Sequence, residues 1–100
     1  MGSNNFFIFV LEGRRFALKL ECVERVIRAL EYMRVPGAPE FLLGVIVVEG
    51  KSLPLVDIRK KFQLPERQIE LEDRIVLARS ESLRLAFAVD EVEDVAVIDE

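Results

Sequence analysis

One hundred residues, 51% of them hydrophobic, suit a single packed domain and lie well outside the composition of a disordered chain. The net charge of −4 and the lack of any dense basic cluster beyond Arg59-Lys60-Lys61 argue against nucleic acid, whose binding rests on neutralising phosphates. With no histidine and one cysteine, Cys22, the chain has no intrachain disulfide, no Ser-His or Cys-His pair and no usual zinc set.

Met1-Gly2-Ser3 looks like an expression remnant, and residues 1–5 read as a disordered start. Phe6 to Leu11 is continuously apolar, which fits a strand covered on both faces. It is too short for a membrane span or a signal-peptide core, and no basic segment precedes it. A soluble, cytoplasmic protein with no membrane insertion is the expectation.

Glu12-Gly13-Arg14 supplies a hairpin turn, and Phe16, Leu18 and Leu20 then alternate with polar or small residues as a strand with one wet face. One helical turn is expected over Glu21 to Glu24, with Cys22 as a buried small hydrophobe, followed by a strand. Arg34 to Pro39 holds two prolines and a glycine and must be a loop. Leu43 to Val48 is a second fully apolar strand, turned at Glu49-Gly50 into Leu53 to Val56. Pro54 within that run cannot donate to a ladder, which predicts an edge position or a bulge.

Ile58 to Phe62 reads as a short helix, and 65–73 as a polar connector. A hairpin across Ser80-Glu81-Ser82 joins Ile75 to Ala78 with Leu85 to Val89, and Val92 to Ile98 is a last β-like segment. The charged clusters at 59–61 and 90–100 read as solvated faces. Short strands with regular turn signals and little helix predict an all-β protein, a barrel or sandwich.

Four pieces of the chain, in order, resemble the CheW-like adaptor family of bacterial chemotaxis. They are Phe16 to Leu20 with Val23 to Arg28; Arg34 to Pro39 with Leu43-Gly44-Val45; Leu53 to Arg59, similar to a "PxVDLR" run; and Val89 to Val95, similar to "VDxVxxV". The resemblance runs from Phe6 onward. It implies paired SH3-like barrels, here a first barrel over about 6–64 and a second, incomplete one over about 65–100. It implies a non-catalytic, cofactor-free scaffold that joins chemoreceptor tips to the regulatory domain of the histidine kinase CheA. By motif, Val23, Gly44, Val45 and Glu49 fall on the protein-binding surface. The family carries Arg where this chain has Glu49, which keeps open a divergent, self-associating module with another partner.

An incomplete second barrel leaves Leu85, Phe87 and Val89 half-covered, so these three are expected to form a dimer or barrel-completion surface, with a homodimer, domain-swapped or not, as the result. The enzyme alternative is an aspartate-dependent hydrolase using Asp57 and Asp90, which end apolar strands. Neither stands in the Asp-Thr/Ser-Gly context that paired catalytic aspartates need, and caps and turn hydrogen bonds account for both.

Overall fold

A computed structural model of the chain describes residues 5–93 and 96–97. In chain order the strands are β1 (Asn5–Leu11), β2 (Arg14–Lys19), β3 (Val23–Arg28), β4 (Leu42–Val48), β5 (Lys51–Val56), β6 (Arg74–Arg79), β7 (Arg84–Val89), β8 (Glu91–Val92) and β9 (Ala96–Val97). A 3-10 turn (Leu20–Cys22) links β2 to β3, and α1 (Ile58–Lys61) follows β5. Strand begins at Asn5, so the disordered start expected for 1–5 does not extend that far, and the terminal β segment expected over 92–98 lies partly outside the described residues. No helix among the described residues is long and apolar enough to cross a membrane.

Two sheets result. One has the order β2-β1-β8 with β9 also on β1; the other has the order β3-β6-β7-β5-β4. The five-stranded sheet curls on itself. Ile27 from one end strand and Ile46 and Val48 from the other share one apolar interior with Leu53, Leu55, Ile75, Leu77 and Ala86. A division into barrels at residue 65 is therefore corrected: β3, β4 and β5 precede that point, β6 and β7 follow it, and β7 slots between β6 and β5. Among the described residues only β5 and β7 run parallel, a pairing between distant strands that no local turn signal announces.

The second apolar cluster joins the sheets. Phe7, Phe9 and Leu11 on β1 pack on Val76, Phe87 and Val89, which line the outside of the five-stranded barrel. This arrangement overturns the expectation of an uncovered surface, because Phe87 is 5% and Val89 1% exposed within one copy. Leu85 is half-buried at the rim. The argument for a second copy drawn from these three side chains falls with that burial. The other face of β1 is covered too: Ile8 and Val10 are buried, and Arg15 on β2 meets Glu93 beyond β8 at 2.8 Å across that strand.

Pro54 sits in an inner strand rather than at an edge. It stands opposite Val45, whose N–H and C=O both turn away to Met33, at 2.8 and 2.9 Å. The pair thus needs no proline N–H, which is why the ladder tolerates it.

Candidate protein-interaction surface

On the outside of the barrel, cross-strand partners fall into one apolar row. Val23 lies opposite Ala78, Ala78 opposite Leu85, Pro54 opposite Val45, and Val45 opposite Met33. Pro54 immediately precedes the Leu55–Ala86 pair and so lies beside Leu85, closing the row. Partners directly opposite one another share a face, so Val23, Val45 and Leu85, widely spaced in sequence, come together.

Burial divides the row. Its Val23 end packs against the cluster between the sheets, whereas Met33 is 62% exposed and Val47, two residues beyond Val45, is 52% exposed. The exposure of Met33 and Val47 is a feature that sequence reading missed. The run Leu43 to Val48 is apolar throughout, so its pattern does not reveal that Val47 faces water while Ile46 is buried.

Gly44 is not on this surface. It is buried, and an added Cβ would come within 2.2 Å of the Met33 carbonyl oxygen and 2.8 Å of the Tyr32 ring. The backbone that approaches it belongs to the same chain. Glu49 is exposed in its turn, with φ +50°, and its carboxylate pairs with Arg25 on β3, bridging the two end strands of the curled sheet.

At Leu85, midway along the row, the surface opens into an apolar groove of about 680 Å³, walled by Phe41, Val56, Ile58 and Phe62, with Lys60 and Lys61 on one lip. Phe41 and Phe62 are exposed. Phe62 also stacks on Phe16, with ring centroids 4.6 Å apart, so the groove lies against the β1–β2 hairpin. Exposed aromatics beside half-buried aliphatics, rimmed by charge, are the usual make-up of a protein contact.

The two aspartates have other tasks. Asp57 caps α1, accepting from the N–H groups of Arg59 (3.1 Å) and Lys60 (3.4 Å). Asp90 accepts from the guanidinium groups of Arg59 and Arg67 and from the Glu12 N–H at 2.9 Å. Burial pushes its carboxyl up, but those three donors outweigh that and hold it below the ordinary carboxylate range. An aspartate fixed as an anion between two arginines lacks the split pKa values of an acid/base pair.

Arg59 itself is only 6% exposed, which corrects the reading of 59–61 as a wholly solvated cluster. It also reaches Glu12 and the Pro65 carbonyl. Arg67 makes a two-pronged contact with buried Asp73, at 2.9 and 3.0 Å, and its guanidinium is stabilised further in its charged form, chiefly by that bond. Among the described residues no group of acidic or cysteine side chains could hold a metal ion. Cys22 is half-buried and free.

Comparison with known proteins agrees with this geometry. The chain is 31% identical over 98 residues to the chemotaxis protein CheW of Bacillus subtilis, covering 98% of this chain and 63% of that relative. It is 26% identical over 85 residues to CheW of Helicobacter pylori, covering 85% and 52%. It thus spans less than two thirds of either relative. The crystal structure of the scaffolding protein TtCheW from Thermoanaerobacter tengcongensis superimposes with a TM-score of 0.88 at 28% identity, over all of this chain and 68% of that one. Both relatives carry the name chemotaxis protein CheW, and the solved structure is described as a scaffolding protein. With the CheW-like domain model matching residues 5–100, the chain belongs to the CheW-like domain family.

Proposed function

We propose that this domain is a cytoplasmic adaptor that couples a chemoreceptor tip to the regulatory domain of a CheA-like histidine kinase. The observation that carries the reading is the apolar row on the outside of the barrel, running from the Leu85 groove to Val45, Val47 and Met33. Such a band gives an adaptor room for two partners at once.

The groove suits a helix. Its floor strand β7 is bonded on both sides, by β6 and β5, so it offers no free backbone edge for an added strand. A helix brings its own satisfied backbone and needs only apolar contacts. We assign the groove to the helical receptor tip and the Met33–Val45–Val47 end to the kinase domain. Glu49 already has Arg25 as its partner within the chain, so its charge is a rim feature of the second contact.

The test is titration calorimetry of the full chain against each partner. Val45→Asp is expected to weaken the kinase domain by more than about tenfold, and Phe62→Asp the receptor tip by a similar factor, since central apolar contacts carry most of an interface. Wild-type protein that binds neither partner at 100-fold excess over a micromolar dissociation constant, on the order of 0.1 mM, would sink the proposal.

A further inference from the structure

The charged cluster around Asp90 spans both sheets. Asp90 lies between β7 and β8, where the chain leaves the barrel for the four-stranded sheet, and Glu12 lies in the turn between β1 and β2. Arg59 belongs to α1, and Arg67 and Asp73 to the connector before β6. Two arginines anchored on the barrel side thus hold Glu12, in the turn of the other sheet, and Asp90, at the point where the chain crosses between the two. The Asp90 N–H adds a bond to the Val10 carbonyl at 3.0 Å. The enclosed void beside these groups measures about 20 Å³, room for one water and for no ligand. The wider hollows that touch Arg67 and Asp90 are open to solvent, and there the charges already hold one another.

What remains is a geometric role. The sheets already adhere through Phe7, Phe9 and Leu11, but apolar contact is non-directional and tolerates rotation of one sheet on the other. Charge-assisted bonds with fixed forks do not. The same short helix serves both places: Arg59 enters the cluster, while Ile58 and Phe62 beside it wall the groove.

We infer that the Asp90 carboxylate, gripped by Arg59 and Arg67, is a tie that sets the orientation of the four-stranded sheet on the barrel. Asp90 and Arg59 thereby act as positioning residues for the groove. The orientation claim stands alone; the groove claim rests on the functional reading above.

Residual dipolar couplings of backbone amides in the full chain test the tie. In the wild type one alignment tensor fits β1–β2 and β6–β7 together. Asp90→Asn, which keeps an acceptor for the Glu12 N–H but removes the charge, is expected to require two tensors. Arg67→Gln is expected to do the same to a smaller degree, and it decides the matter if Asp90→Asn does not fold. Glu24→Gln is the control, because Glu24 pairs with Arg84 inside the five-stranded sheet alone; it leaves one tensor.

A single tensor in the folded cluster variants overturns the inference. The second readout is dissociation of a receptor-tip helix, expected to be severalfold faster in Arg67→Gln although residue 67 does not line the groove. An unchanged rate beside altered tensors removes the positioning half. No binding to the wild type removes the functional reading and leaves the tie standing.

Discussion

The two hairpin turns Glu12-Gly13 and Glu49-Gly50 are the same dipeptide in the same conformation, with φ near +50° on each glutamate and above +70° on each glycine. Both close a two-residue loop of the mirror-image kind that matches strand twist. Both glutamates also pair with an arginine. Glu12 meets Arg59, whose side chain is 8% exposed, whereas Glu49 meets Arg25, whose side chain is 53% exposed. Local sequence sets the turn, and the surroundings of the arginine set what the charge is worth.

The largest effect belongs to the hub that the Glu12-Gly13 turn feeds. Asp90→Ala leaves two arginines short of their shared anion and is expected to cost about 3 kcal/mol in urea unfolding, the low end of the range for a buried pair broken on one side, because Asp90 itself is partly exposed. Loss within a few tenths of a kcal/mol would show the cluster to be solvated after all. Acid should mimic the change. Because the folded carboxyl titrates below its ordinary value of 3.8, its contribution is complete above about pH 5 and is lost as the pH falls through the folded value. Asp90→Ala should therefore flatten the acid limb of the stability profile.

Glu12→Gln comes next. Arg59 keeps Asp90 and the Pro65 carbonyl, so only one bond to a charged group is weakened, at about 1.5–3 kcal/mol. Glu49→Gln is the smallest, about 0–1 kcal/mol, because both partners stand largely in water. Chemical denaturation of the two variants side by side sharpens the comparison, and equal losses would break it. Raising salt should shrink the Glu49 effect more than the Glu12 effect, since exposed pairs are screened first.

Much of the local architecture was legible. Glycine after glutamate between apolar runs marked both hairpins, Asp57 before Ile58 marked a capped helix, and the proline-glycine segment marked the loop. The resemblance of four motifs carried the family. Strand order was not legible, because the parallel β5–β7 pairing joins segments with no turn between them. That gap produced the error over Phe87 and Val89: their cover comes from β1, almost eighty positions earlier.

Val23 and Val45, singled out by motif, lie on the outer apolar row, whereas the exposure of Met33 and Val47 was not legible, since exposure of one apolar strand residue depends on what lies over it. Gly44 was singled out for a close approach, and one exists, though with Met33 of its own chain. The charged cluster stayed hidden for a simpler reason. Arginines in a run such as Arg59-Lys60-Lys61 look alike in sequence, and only the fold tells which one turns inward.

The strand Asn5–Leu11 takes β2 on one side and β8 and β9 on the other. Synthesis releases it first and its last neighbours late. Glu12 and Asp90 are 78 residues apart, so at about 5–20 residues per second a ribosome needs roughly 4–16 s to bring the second out after the first. Through that interval Phe7 and Phe9 have a hairpin partner but no β7 to lie on. The nascent hairpin thus shows water an apolar face of the kind that promotes association until β7 arrives to cover it.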